Sequence, residues 1–429
     1  MQENPSELID VSELRTGMYV ELELGWMAHP FPTGSFRISS DKQIETIRGL
    51  GLRQVHYVPA KSDTSIAGLH SQPTVGEEAA AQAAAREREF RKQRAALIVA
   101  QQHSLHDCEQ QFGTAQHLYK QVQEELLEQP LVARDQCVAM ISGFVADMVC
   151  NGEAAIRLLS EGVGERAAMH PVNVSVMSLL LGKAMGVAQQ DLVDLGVAAF
   201  LHDIGKIQLP SRVRWFEENF TNDEFKQYQE HVSKGVARAN RMQLREGALM
   251  AIAQYHELMD GSGFPMRPAS SELTLAARIL ALTNHYDNLC NPVRLVSALT
   301  PHEALSRIFA QHKARYDNIV LSAFIRMMGV YPPGSVVELI DGRFALVVSV
   351  NSVRPLKPRV IVHDTSVPRH EALILDLEKQ PGIGIRRSLK PASLPADALD
   401  YLAPRQRIAY FFENLGDTAT TDNAALQAS

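Results

Sequence analysis

The sequence predicts a mainly α protein: a helical bundle with a small α+β domain before it and a small β-rich extension after it. Three patterns carry that expectation. Apolar residues recur at helical spacing over residues 97–328, enough chain for a bundle of several helices. Before it, residues 9–59 read as short strands and turns, with Met18-Tyr19-Val20-Glu21-Leu22 alternating and Gly, Pro and Thr punctuating residues 30–34. After Tyr331-Pro332-Pro333-Gly334 the alternation returns, as residues 335–339 and 344–350 flank an Asp341-Gly342 turn and residues 359–362 form a third candidate strand.

At 429 residues the chain exceeds what one core usually organises, and 45% hydrophobic residues can fill two or three domains. The expected division is an α+β domain over 1–63, a linker and helical connector over 64–130, a helical domain over 131–330, a β-rich extension over 331–414 and a disordered tail over 415–429. Residues 61–94 turn to Ala, Glu, Gln and Arg, and 77–94 are strong helix formers of mixed charge, a tether becoming a solvated helix. No 3.5-residue apolar seam runs along it, so a single helix is favoured over a coiled coil, and a homodimer is an expectation without a motif behind it. Turn clusters at Asn151-Gly152, 162–164 and 260–265 punctuate the helical region.

A net charge of -7 and a pI near 6.1 argue against a nucleic-acid polymer as partner, while leaving room for a local basic pocket that holds a small phosphate ligand. Cys108, Cys137, Cys150 and Cys290 form no C-x-x-C pair, which suits a reducing cytoplasm better than a disulfide framework or a thiolate zinc site. No leader-like start is visible, and apolar runs such as 176–181 are too short to span a bilayer, so no membrane span is expected.

The chemistry concentrates at Leu201-His202-Asp203-Ile204-Gly205-Lys206. Leu195, Ala199, His202 and Lys206 follow at spacings of four, three and four, so one helical stripe turns from apolar to imidazole and ammonium. A neutral imidazole suits a transition metal and a carboxylate can bridge two of them. An isolated His-Asp pair is more often a surface hydrogen bond, so further ligands are needed. They are available at His170, just before a helix expected to start at Pro171, at His231 on an amphipathic segment, and at His256-Glu257 before a glycine-rich turn.

His202-Asp203-Ile204-Gly205-Lys206, His256-Glu257 and Asp260-Gly261-Ser262-Gly263-Phe264-Pro265 together resemble the HD-GYP family, from about residue 170 to residue 329, and residues 9–63 resemble the small domain that precedes some members. The resemblance implies an HD-type helical bundle that binds divalent iron or manganese and hydrolyses the bacterial second messenger cyclic di-GMP. It makes His170, His202, Asp203, His231 and His256 metal ligands, with Asp203 bridging two metal ions. Lys206 would hold or protonate the phosphodiester, and Gly261, Gly263, Phe264 and Pro265 would lie near the substrate.

The sequence also departs from that pattern. Tyr255 stands where a first histidine is usual, and is expected to pack beside the site as an apolar-face residue. Asn284 replaces a metal-binding aspartate; its amide oxygen can coordinate but compensates cationic charge less well. Arg166 replaces the glutamate of three-metal members, making two metals the ceiling, while Phe264 replaces the name-giving tyrosine and Val293 a common arginine. The leading expectation is a metal-dependent cyclic di-GMP phosphodiesterase. The alternatives are a non-catalytic cyclic di-GMP-binding or adaptor protein that keeps the fold, and another HD-type nucleotide hydrolase. The N-terminal domain reads as a protein-binding or structural cap, with His29 and His56 as surface residues.

Overall fold

The structure is a computed structural model that describes residues 6–24, 29–63, 75–150, 154–161, 166–217, 219–350, 354–380 and 382–414. The turn at 151–152, the cluster at 162–164 and the tail at 415–429 lie outside the described residues. The chain divides into two compact units, residues 1–91 and 92–429.

In the first unit, β1 (Glu7–Asp10), β2 (Tyr19–Glu21), β3 (Ser35–Arg37) and β4 (Gln54–Tyr57) form an antiparallel sheet in the order β1-β4-β2-β3. Helix α1 (Asp41–Gly49) connects β3 to β4. Period-two alternation turns Ile9, Val20 and Val55 onto one face, where Ile44 and Ile47 of α1 cover them. The expected α+β domain is therefore present. His29 departs from expectation: it is buried, its ring 6.0 Å from that of Phe31, so local aromatic packing draws in a side chain that composition assigns to the surface.

Helix α2 (Val75–Glu125) is a continuous 51-residue helix. Its residues 82–89 are exposed, as a run of mixed charge requires, and further on Phe112, Tyr119 and Val122 are buried in the second unit's core. There α3 (Pro130–Cys150), α4 (Arg166–Ala184), α5 (Gln189–Leu201), α6 (Asn222–Arg241), α7 (Glu246–Gln254), α8 (Leu275–Cys290), α9 (Pro301–Gln311) and α10 (Asn318–Met328) build the bundle. From Ala168 to Leu181 every residue of α4 is buried, which makes it a central helix packed by α5 and α8. Helix α6 is amphipathic and opens on a capping box between Thr221 and Glu224. Among the described residues no helix is long and apolar enough to cross a membrane.

Two expectations about this region are corrected. Helix α4 starts at Arg166, so Pro171 lies inside it and His170 belongs to the helix rather than to a preceding loop. Proline keeps a helical φ and costs one backbone hydrogen bond, which the buried packing of α4 outweighs. The second correction is β5 (Ala154–Leu158), a strand inside the stretch read as helical. Its partners lie far away in sequence, so pairing rather than local pattern decides its conformation.

The β-rich extension appears where expected. Strands β6 (Val336–Leu339), β7 (Phe344–Val350), β8 (Arg359–Val362), β9 (Leu375–Asp376), β10 (Ile385–Leu389) and β11 (Tyr410–Asn414), with the short helix α11 (Ala396–Leu402), join β5 in a seven-stranded antiparallel sheet. Its main path runs β10-β6-β7-β5-β11, with β8 pairing β7 and β9 pairing β8. Phe144 of α3 meets Phe411 and Phe412 of β11 edge-on at 5.3 and 5.9 Å, so sheet and bundle share one core.

Within that sheet Arg157 of β5 and Glu413 of β11 form an ion pair at 2.9 Å, with side chains only 6% and 4% exposed. Ser349 donates a 2.6 Å hydrogen bond to the same carboxylate. Removing one partner strands the other charge away from water, at a cost of about 3–5 kcal/mol. Glu413→Ala should lower the free energy of unfolding by that order in denaturant titrations. A loss near that of an exposed ion pair, about 1 kcal/mol or less, would mean that the sheet opens to hydrate Arg157.

Candidate functional site

Helix α5 carries the apolar stripe to its end, and the site starts where that helix stops. His202 caps it in helical conformation; Asp203 takes φ -92° and ψ 3°, between helix and strand, and residues 204–208 continue as a 3₁₀ turn. Gly205 is required by contact: a Cβ there would lie 2.0 Å from the carbonyl oxygen of His231 and 2.5 Å from the amide nitrogen of Gly235. The missing side chain lets α6 cross directly over the turn, and this brings His231 to His202 and Asp203.

Four histidines surround the carboxylate. The Nε2 atoms of His170 and His202 are 3.2 Å apart, and those of His170 and His202 lie 3.7 and 3.5 Å from the Asp203 oxygens. The ring of His231 is 5.0 Å from that of His256; His231 is fully buried and His256 half-buried. Each of three rings has its Nδ1 engaged elsewhere: His202 with the Ala199 carbonyl at 2.7 Å, His231 with the Tyr228 carbonyl, and His170 with Asp287 Oδ2 at 2.6 Å. A ring whose Nδ1–H is donated to an acceptor keeps its Nε2 lone pair for a ligand. The Nε2 atoms of His231 and His256 have no hydrogen-bond partner although buried, an arrangement that costs free energy unless something electrophilic meets them.

The donor atoms of His170, His202 and Asp203 lie within 4.8 Å of one another, close enough to hold a metal ion together. The electrostatics agree. Burial drives the pKa of His202 down to about 4 and that of His231 to about 3, and pushes His256 well below the ordinary value, so these imidazoles are neutral near pH 7, the form a metal ion requires. Burial alone would raise the Asp203 carboxyl; the Lys206 ammonium and the surrounding imidazoles reverse that and hold it well below the usual range.

Asp203 is held at both oxygens. Lys206 Nζ donates to Oδ2 at 2.7 Å and the Tyr255 hydroxyl donates to Oδ1 at 3.0 Å. Tyr255 is buried as expected, but it packs through its hydroxyl as well as its ring, because a buried phenol needs an acceptor and the carboxylate supplies one. Burial and the neighbouring Asp203 charge raise its pKa well above 10, so it remains a donor.

The other sequence candidates fall in different places. Asn284 is buried, but its Oδ1 accepts from Asn288 Nδ2 at 2.7 Å. One turn on, Asp287 is the residue that reaches His170. The loop with Gly261, Gly263, Phe264 and Pro265 folds against His256: Phe264 stacks on that ring at 4.3 Å, and a Cβ on Gly263 would lie 2.5 Å from the His256 carbonyl oxygen. Glu257 ties the loop down by accepting from the amides of Met266 and Arg267 at 2.6 and 3.1 Å. None of those four loop residues lines the adjoining cavity of about 190 Å³, whose walls include Tyr119 and Gln123 of α2, His170, Lys206, Arg214 and Trp215. Sequence reasoning missed α2, Arg214 and Trp215, since nothing in their local pattern links them to His202. The aromatic run around residue 216 was the only available signal.

Neutral buried imidazoles make stability depend on acidity. His202 titrates near 4 when folded against 6.5 as its ordinary value, so its contribution is complete above about pH 6.5 and is lost as pH falls toward 4. That shift corresponds to a few kcal/mol, on the order of 3. Chelator-treated protein should therefore lose denaturation resistance between pH 7 and 4.5, and His202→Gln should flatten the slope. An equal slope in the variant would show that His202 is not held neutral by burial.

Comparison with known proteins adds to this geometry. The HD domain family matches residues 151–320, and a domain of unknown function, DUF3391, matches residues 6–137. A cyclic di-GMP phosphodiesterase of Pseudomonas aeruginosa is 26% identical over 367 residues, 82% of this chain and 84% of that protein. The cyclic di-GMP phosphodiesterase PdeB of Borreliella burgdorferi is 22% identical over 192 residues, 45% of this chain and 51% of that protein. Among solved structures, an HDG"Y"P protein from Bdellovibrio bacteriovorus is 14% identical with a TM-score of 0.41, covering 75% of this chain and 98% of that one.

Proposed function

Because this chain belongs to the HD-GYP family of HD-domain proteins, we propose that it is a metal-dependent phosphodiesterase that hydrolyses cyclic di-GMP. The observation that carries the reading is the set of imidazole Nε2 atoms turned, by the hydrogen bonds at their far nitrogens or by lack of any partner, around one buried carboxylate. His170, His202 and Asp203 form one half of the proposed ligand set and Asp203, His231 and His256 the other, for two divalent cations, iron or manganese. Asn284 is left out of that set because its Oδ1 already accepts from Asn288 Nδ2 and carries no negative charge to offset a cation. When bound, such cations acidify water from a pKa of about 15.7 to about 7 and stabilise the charge on the phosphate.

The remaining roles belong to the chain. Lys206, over the rings of Trp215 and Tyr228 at 5.5 Å from each centroid, faces the cavity and can hold a phosphate oxygen through Nζ or return a proton to the leaving oxygen. Tyr255 keeps Asp203 Oδ1 oriented. A cavity of about 190 Å³ is smaller than the roughly 300–1,000 Å³ of common small-molecule sites, so it takes one nucleotide half of the substrate. The Trp215 indole offers a face for a guanine, and Arg214 Nε, buried without a partner, is a spare donor for a phosphate.

The second reading is a cyclic di-GMP-binding adaptor without turnover. It draws on Tyr255, whose hydroxyl occupies Asp203 where a further imidazole is usual, and on Asn284. In either reading the four unpaired thiols suit the cytoplasm, and the N-terminal domain serves as a protein-binding or structural cap.

The test is chromatography of cyclic di-GMP incubated with protein loaded anaerobically with iron or manganese. Linear or mononucleotide product that disappears in Asp203→Ala supports the phosphodiesterase, whereas bound nucleotide without product supports the adaptor. Trp215→Ala should raise KM about 5- to 100-fold, as loss of one base–aromatic stack of about 1–3 kcal/mol implies, with kcat changed far less. An unaltered KM would remove Trp215 from the substrate's path.

A further inference from the structure

The hydrogen bond that orients His170 belongs to a closed, buried circuit ending on the C-terminal strand. Asp287 Oδ2 faces His170, and Asp287 Oδ1 accepts from Asn173 Nδ2 at 2.8 Å and from Asn291 Nδ2 at 2.9 Å. Each of those amide groups also donates to the Ile408 carbonyl, at 2.7 and 2.8 Å. Their oxygens accept backbone N–H groups in turn, Asn173 from Tyr410 at 2.9 Å and Asn291 from Ile408 at 2.8 Å. Asn173, Asp287 and Asn291 are fully buried and His170 is 2% exposed.

We infer that Asn173 and Asn291 are positioning residues for His170, acting through Asp287 and anchored on the backbone that leads into β11. The inference rests on the metal-site reading, though not on any reaction at it. The backbone N–H groups fix which way each asparagine points: the oxygen must face the donor on the strand, which leaves the NH₂ group for the carboxylate. With Oδ1 held by two donors, the Asp287 carboxylate cannot rotate, and Oδ2 stays aimed at His170 Nδ1. That nitrogen then carries the proton and Nε2 the lone pair that faces His202 and Asp203. Helical spacing builds the arrangement, since Asn173 follows His170 by three residues on α4 and Asn291 follows Asp287 by four at the end of α8. With water excluded, each member left unpaired would be costly, so the circuit forms as a whole and only when residues 408–410 are seated.

Metal affinity of the full chain, measured by manganese titration against a competing chelator, tests this with a built-in control. Ser178 of α4 and Thr283 of α8 share a 2.8 Å hydrogen bond between the same two helices, and their side-chain hydrogen bonds go to each other and to main-chain carbonyls rather than to the circuit. Asn173→Ala and Asn291→Ala should weaken metal binding roughly 10- to 100-fold, as loss of an outer partner of a metal-ligating histidine does. Ser178→Ala should leave affinity unchanged at a comparable loss of thermal midpoint. Wild-type affinity in both asparagine variants, or an equal loss in Ser178→Ala, would overturn the inference while leaving the metal site standing. A wild-type chain that binds no metal would instead overturn the metal reading and the inference with it.

Should the alanine variants not fold, Asn291→Asp keeps the side-chain shape and its acceptor oxygen but removes the donor facing Asp287, and the same loss is expected. Nitrogen-15 spectra of metal-free protein give a separate readout: His170 protonated at Nδ1 in the wild type, and a mixture of tautomers in Asn291→Asp. A single unchanged tautomer in the variant would count against positioning.

Discussion

The rest of the second unit depends on one carboxylate, Asp203, kept charged where water hardly reaches it. A buried, unpaired carboxylate costs several kcal/mol, and the surroundings of Asp203 answer that cost with an ammonium at one oxygen and a phenol at the other. Supplying those partners fixes several elements at once. Lys206 sits one 3₁₀ turn beyond Asp203, Tyr255 caps α7, and the crossing of α6 over Gly205 closes the remaining side with His231. A single buried charge thereby sets the end of one helix, the start of a turn and the approach of two more helices.

The histidines have a complementary requirement. An imidazole removed from water favours its neutral form and must still satisfy the nitrogen that bears hydrogen. Three rings do so with Nδ1, using two main-chain carbonyls one turn back on their own helices and one carboxylate across the bundle. The carbonyl partners are local and come with the helix; the carboxylate is a long-range arrangement, 117 residues away in sequence. His170 is thus the ligand candidate whose orientation depends most on tertiary structure.

That contrast explains how much the sequence revealed. His202, Asp203, Lys206 and His231 were legible because helical spacing and an apolar stripe are local properties, and β6, β7 and β8 because alternation and the Asp341-Gly342 turn are local too. Strand β5 was invisible because its five residues gain their conformation from β11 and β7. The reach of Asp287 to His170 was hidden for the same reason, as were the roles of Arg214 and Trp215, which meet the site across a cavity. Helix α4 shows the opposite error: Pro171 is a strong local signal for a helix start, yet burial on all sides carried the helix through it. Tyr255 lay between the cases, since its burial could be read from sequence and the acceptor for its hydroxyl could not.

Strand β5 also bears on the order in which the molecule can be made. Its pairing with β11 joins positions 256 residues apart, as the Arg157–Glu413 contact measures. A chain emerging from the ribosome has synthesised α3 to α10 long before it can complete this sheet, and such distant pairing is slow because loop closure must precede any gain. Until then β5 has an unsatisfied edge, the aromatic face of α3 lacks its cover, and the carbonyl at residue 408 is absent from behind His170. Between the arrival of β7 and that of β11 the nascent protein therefore presents an open strand edge to other chains and to chaperones.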